Sequence, residues 1–168
     1  MKFIFKKKKL ACAIFFALAF SFLSAQNYRN AFGVRLGLAA GLTYKTFLTN
    51  SSALEFIAAY QVDEKGYGVT MLYEIHNYKA IGAAHMALVY GFGAHANFYP
   101  YGSQYKNRNE IFYPNNTLVV GIDGIFGIDY YVASAPINWG VDIKPMFDFV
   151  HPGFRFWDAA VSIRYVFN

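Results

Sequence analysis

Two imidazoles and a carboxylate are the first residues that could do chemistry. His76 and His85 face each other if the turn between them centres near Ala80-Ile81, and Glu74 then stands one inward step away. Such a set could hold Zn²⁺. A hydrated, hydrogen-bonded histidine pair needs no ion and is the simpler reading. His85 and His95 are ten residues apart, about 33 Å at strand rise, and cannot share one ion. The run Gly91-Phe92-Gly93-Ala94-His95-Ala96 spells the dinucleotide fingerprint G-x-G-x-x-A. That fingerprint needs a helix to open there, whereas an alternating pattern continues through Phe98. Ser162 is the remaining material for a hydrolase triad, but it sits inside another alternating stretch with no histidine at range. The chain is therefore read as non-catalytic, with no metal and no cofactor.

More telling are charges that fall on the same, polar face of alternating stretches: Arg35, Lys45, Glu55, Glu74, Asp123, Asp129, Asp142, Lys144, Asp148, Asp158 and Arg164, with His76 and His95 among them. A turn at 49–52 puts Lys45 directly across from Glu55. A turn at Ser134 makes Asp123 and Lys144 diagonal neighbours. Their chemistry is pairing, which requires two-faced elements to hold them.

Those elements are strands. From Trp157 to Phe167 the chain alternates strictly, with Trp157, Ala159, Val161, Ile163, Tyr165 and Phe167 on one face and Asp158, Ala160, Ser162 and Arg164 on the other. Period-two alternation marks a strand with one apolar and one polar surface. Seven further segments read the same way: Ala31–Leu38, Leu42–Leu48, Ala53–Val62, Tyr67–Asn77, Ala84–Tyr99, Leu118–Ala133 and Ile137–Val150. No segment keeps an i, i+3, i+4 stripe. Turns are expected at Ala39–Gly41, Thr49–Ser52, Asp63–Gly66, Lys79–Ala83 and Ser134–Pro136, with a long polar and aromatic connection over Pro100–Thr117. Pro145 lacks a ladder donor in mid-strand and predicts a bulge there.

The N-terminus reads as an export signal over residues 1–25. Lys2, Lys6, Lys7, Lys8 and Lys9 precede an apolar run from Leu10 to Leu23 that ends at Ser24-Ala25-Gln26. The run is short for a membrane-spanning helix, and a small-residue exit follows it. Cys12 has no lipobox, because Lys9 occupies a position that wants an apolar residue, and it leaves with the leader. Five of the 15 Lys and Arg leave too, so ten remain against ten Asp and Glu. Residues 26–168 are thus formally neutral and suit one domain with no nucleic-acid partner.

A chain that is 56% hydrophobic and 20% aromatic, with no spanning helix, can hide apolar surface in lipid. The expected fold is all-β, an eight-stranded antiparallel up-and-down transmembrane β-barrel behind a cleaved signal peptide. Its apolar face meets lipid and its charges point into the lumen. Eight strands enclose only enough room for side chains, so the charges form a closed ion-paired plug. An even strand count puts both termini on the periplasmic side, with short turns there and longer loops outside. The aromatic ends of strands and loops (Tyr99, Tyr101, Tyr105, Tyr113, Phe154, Phe156, Trp157) read as an interface girdle rather than a binding surface.

Several motifs carry a resemblance. Gly33-Val34-Arg35-Leu36-Gly37, Gly41-Leu42-Thr43-Tyr44-Lys45 leading to Ala53-Leu54-Glu55, Leu72-Tyr73-Glu74-Ile75-His76, Gly121-Ile122-Asp123-Gly124 and Asp142-Ile143-Lys144-Pro145 together span nearly all of residues 26–168. The chain resembles the small outer-membrane β-barrel proteins of Bacteroidota. The resemblance implies an OmpX/OmpA-like eight-stranded barrel in the cell outer membrane, of a type linked to envelope integrity or surface contact. A terminal aromatic, here Phe167 with Tyr165, is where such proteins carry the signal read by the outer-membrane assembly machinery; the chain ends one residue later, at Asn168. The implied partners are outer-membrane lipid, that machinery and an extracellular surface partner met by the loops, with the protein itself a monomer.

Two other readings differ in kind. A soluble lipocalin-like binder of an apolar ligand would place Leu54, Phe56, Val141 and Ile143 inside and Glu55, Asp142 and Lys144 in water. A small-solute pore would keep the charges inside and leave a conducting path between them.

Overall fold

The computed structural model describes residues 28–107, 110–112, 116–150 and 153–168. The signal peptide, Tyr113, and the side chains of Tyr105, Phe154, Phe156 and Trp157 lie outside what is described. Among the described residues ten strands follow one another: β1 (Asn30–Gly37), β2 (Ala39–Phe47), β3 (Ser52–Gln61), β4 (Gly66–Asn77), β5 (Met86–Tyr99), β6 (Tyr105–Asn107), β7 (Glu110–Phe112), β8 (Thr117–Val132), β9 (Ile137–Asp148) and β10 (Gly153–Phe167). Eight of them close an antiparallel barrel in the order β1-β10-β9-β8-β5-β4-β3-β2, and β6 pairs only with β7. Closure is made by β1 against β10, from Asn30 opposite Phe167 to Gly37 opposite Ala160. Each sequence neighbour is also a ladder neighbour, apart from the insertion of β6 and β7. This is the up-and-down barrel that the alternation predicts, and closing it leaves no sheet edge to cover.

The two surfaces sort by chemistry. Phe92 is 68% exposed, Val69 59% and Val141 58%, and they stand on the outer wall with Phe32, Leu42, Met71, Ile122, Val161 and Tyr165. Arg35, Glu55 and Glu74 are wholly buried inside. The facing that a lipocalin-like binder requires is therefore reversed here: Phe56 and Val141 are outside, while Glu55, Asp142 and Lys144 are inside.

β1 starts and β10 ends at the same end of the barrel, called lower here. Lower connections run over 48–51, 78–85 and 133–136; upper ones are Leu38, 62–65, 100–116 and 149–152. The expected contrast between short lower and long upper loops reduces to one loop, 100–116, which carries the β6–β7 hairpin. Three boundaries also differ clearly from expectation: residues 153–156, expected as part of a loop over His151–Phe156, open β10 by pairing with the end of β9. Ala39–Gly41 belong to β2, not to a turn, because β3 is long enough to give them ladder partners at Gln61–Ala59. The fifth strand opens at Met86, since His85 takes a left-handed φ of 62° and closes the preceding turn.

The Pro145 irregularity falls on the neighbouring strand. Register between β8 and β9 is the same on both sides of Pro145. Between β9 and β10 it shifts, and the bulge lies in β10 between Arg155 and Asp158. Pro145 withholds one amide, and the partner strand absorbs the defect with an extra residue. Across β8, the missing side chain of Gly124 leaves room for the proline ring, which a Cβ there would approach to 3.3 Å.

Candidate functional site: a buried charge network

Alternation carries every predicted inward charge to the barrel interior. Arg35 comes from β1, Lys45 from β2, Glu55 from β3, Glu74 and His76 from β4, His95 from β5, Asp123 and Asp129 from β8. Asp142, Lys144 and Asp148 come from β9, and Asp158 and Arg164 from β10. None is more than 7% exposed. They gather into two clusters.

The lower cluster centres on Lys45. Its Nζ lies 2.7 Å from Glu74 Oε2, 2.8 Å from Asp129 Oδ2 and 3.6 Å from Glu55 Oε2. Arg164 completes it, with Nη2 2.5 Å from Glu55 Oε1 and Nη1 3.5 Å from Asp129 Oδ1. Thr43 donates its hydroxyl to Glu55, and Asn138 Oδ1 accepts from Arg164 Nη1 at 3.0 Å. Lys45 does stand opposite Glu55 in the ladder. Its shorter contacts nevertheless go to β4, two strands along the sheet, and to β8, on the far side of the barrel.

The upper cluster centres on Arg35 and Lys144. Arg35 Nη1 is 2.5 Å from Asp142 Oδ2, and Nη2 is 3.3 Å from Asp158 Oδ2. Lys144 Nζ is 3.2 Å from Asp123 Oδ1 and 3.8 Å from Asp158 Oδ2. Asp123 lies opposite Met146, so Lys144 is its diagonal neighbour. His95 sits between Asp123 and Asp148, with Nδ1 3.1 Å from Asp123 Oδ2 and Nε2 3.0 Å from Asp148 Oδ1. Uncompensated burial costs several kcal/mol per ion, so the clusters hold only because each charge meets its opposite.

Small residues make room for these long side chains. Gly140 lies beside the Arg164 guanidinium, where an added Cβ would come within 2.8 Å of Nη1. At Gly33 a Cβ would meet the Ile163 carbonyl oxygen at 1.9 Å, so β1 and β10 approach closely only because that position is glycine. Apolar side chains fill the rest of the interior: Ile57, Leu72 and Ile125 form one cluster.

Further contacts gather near each end of the barrel. Below, Tyr28 packs edge-on against Phe47 at 5.4 Å between ring centroids and tilts against Tyr131 at the same distance. Phe47 in turn lies 4.8 Å from the His76 ring. Burial, reinforced by the nearby Asp129 carboxylate, holds the Tyr28 and Tyr78 phenols well above the usual range. Above, the Tyr99 hydroxyl contacts Gln61 Oε1 at 2.5 Å and Glu64 Oε2 at 2.8 Å. The Gln104 amide donates to the Glu64 carbonyl at 2.9 Å, which ties the start of the long loop to the 62–65 connection.

The metal constellation does not assemble. His76 stands opposite Val89, not His85. His85 lies in the turn with its ring 6.1 Å from Tyr131. The turn centres later than Ala80-Ile81, because β5 pairs with β4 from Leu88 onward. Among the described residues no group of three His, Cys, Asp or Glu side chains is placed to hold a metal ion. Residues 91–96 continue as strand, so no helix opens at the Gly-rich run. Ser162 is buried, and its ladder partners are Arg35 and Gly140. Thr43 and Asn138 are network members that charge alone does not reveal; their inward parity was the available signal. Tyr165 and Phe167 face outward at the lower end, their rings stacked at 6.4 Å.

No family model, no curated protein and no solved structure matches the chain.

Proposed function

We propose that this protein is a monomeric outer-membrane β-barrel. It serves envelope integrity or surface contact through its upper loops and performs no catalysis. The observation that carries this reading is the inversion of surfaces: large apolar side chains cover the outside while four Lys and Arg residues and seven carboxylates are buried inside. In water such an exterior would be an aggregation surface; against acyl chains it is the stable arrangement. The resemblance to small Bacteroidota barrels, the basic and apolar leader, and the outward Tyr165 and Phe167 at the last strand's end point the same way. The filled interior favours a closed plug over a solute pore.

Trp139, 43% exposed on the outer wall, gives a direct test. In vesicles containing brominated acyl chains, a Trp157→Phe variant should lose most of its tryptophan fluorescence, and it should migrate faster on gels when unheated. A protein that stays a soluble monomer in plain buffer after leader removal, with Trp139 unquenched by such vesicles, overturns the membrane assignment.

A further inference from the structure

At the lower end three chain segments converge beneath the seam that closes the barrel: Tyr28 and Arg29 entering β1, residues 47–50 leaving β2, and Asn168 following β10. They line a cleft of about 360 Å³, within the range of small-ligand sites. Its walls are fixed by the main chain. The Arg29 amide donates to Asn168 Oδ1 at 3.1 Å, and the Arg29 carbonyl accepts from the Phe47 amide at 2.8 Å. The Thr49 amide donates to the Ser52 carbonyl at 3.2 Å, and Thr49 Oγ1 accepts from the Ser52 amide at 3.0 Å. Tyr28 and Phe47, edge-on at 5.4 Å, form a rigid aromatic floor.

With its backbone committed on both sides, Arg29 has its guanidinium left over. It is exposed and forms no ion pair or side-chain hydrogen bond among the described residues, and the exposed Asn50 amide beside it is equally unengaged. No Asp or Glu side chain lines the cleft, so its one side-chain charge is positive. A guanidinium is a planar fork of N–H donors that matches two oxygens of one phosphate group, and here no existing partner has to be displaced. Position narrows the ligand further. Leu48, which lines the cleft, is 56% exposed, and Tyr44, Tyr165 and Phe167 stand on the outer wall at the same end. A free anion makes no use of that apolar rim. A molecule with an anionic head and acyl tails uses both.

We infer that the lower cleft is a phospholipid headgroup site, in which Arg29 takes the phosphodiester, Asn50 donates beside it, and the acyl chains run up the outer wall past Leu48 and Tyr44. The inference rests on the outer-membrane reading, in which the lower end meets the headgroups of the periplasmic leaflet. A lipid held there lies directly under the β1–β10 closure.

The test uses the leader-free chain folded in dodecyl maltoside, a detergent without phosphate or charge, with amide nuclear magnetic resonance shifts of Arg29, Thr49 and Asn50 as the readout. Three probes are titrated separately: dihexanoyl phosphatidylglycerol, dihexanoylglycerol and inorganic phosphate. Phosphatidylglycerol should give saturable shifts at these residues, and the other two should not. Arg29→Gln, outside the strands and without a partner to lose, should weaken the binding about tenfold, the value of one hydrogen bond to a charged group. Asn50→Asp, which sets a carboxylate against the phosphate, should weaken it as well and stands in for Arg29→Gln if that variant does not fold. Equal saturation by dihexanoylglycerol means that no anion is recognised and overturns the inference. Equal saturation by inorganic phosphate makes the cleft a free-phosphate site and overturns the lipid assignment, as does an affinity unchanged in both variants. Quenching of Trp139 by brominated lipid without shifts at Asn50 sinks this site alone, whereas the membrane reading falls only if Trp139 stays unquenched.

Discussion

Arg164 of the closing strand and Glu55 of β3 meet at 2.5 Å, although two other strands separate them around the barrel wall. The contact crosses the interior and ties the last strand to the first half of the sheet. Arg164→Met should remove a buried cation and leave Glu55 and Asp129 facing one. Breaking a buried pair in this way costs about 3–5 kcal/mol. Urea unfolding in vesicles should show that loss, and Arg164→Met combined with Glu55→Gln should recover part of it. A loss under about 1 kcal/mol would mean that solvent reaches the cluster.

Closure depends on Gly33. A side chain there meets backbone of β10, which cannot move aside as a flexible side-chain tip could. Gly33→Val should prevent β1 from pairing with β10, and the compact, fast-migrating band of unheated samples should disappear. Gly82, with open space around it and φ of 69°, provides the contrast. Replacing it with Asn, which tolerates that backbone conformation, should leave the band in place.

Tyr28 and Tyr78 lie outside the barrel strands and are held neutral by burial and by the Asp129 carboxylate. A phenol whose folded-state pKa is raised contributes stability below its ordinary value near 10 and loses that contribution as pH climbs above it. Ultraviolet titration at pH 11 should therefore find two tyrosines not ionised in the folded protein that ionise once it is boiled in detergent. Double replacement by Phe should abolish the difference; its persistence would mean that other tyrosines are responsible.

If the proposed closed plug holds, planar bilayers containing the purified protein should show no steady current at neutral pH. A sustained open conductance would overturn the closed plug and favour the pore.

Much of this molecule was legible in its sequence because strand periodicity is local. Alternation through residues 157–167 is enough to send Val161 and Ile163 one way and Arg164 the other, and a short turn at 49–52 is enough to set Lys45 against Glu55. Where the turn was not self-evident, the sequence left the pairing conditional: a loop through Gly82 and His85 sets His76 opposite Val89, so the histidine pair that a turn at Ala80-Ile81 would make does not form. Pro145 announced a defect, but which strand would bulge depended on the ladder on each side of it. Residues 1–25 remain an expectation from charge and hydropathy alone.

The partners of the charges were a different matter. Lys45 takes its shortest contacts from Glu74 and Asp129, and Arg164 takes its own from Glu55; neither choice follows from spacing along the chain. Sequence determined which side chains point inward, since parity along a strand decides that residue by residue. Only the tertiary structure decided whom they meet, because contacts across a lumen exist only after β10 has closed on β1 and the stagger of the ladders has set each strand's height.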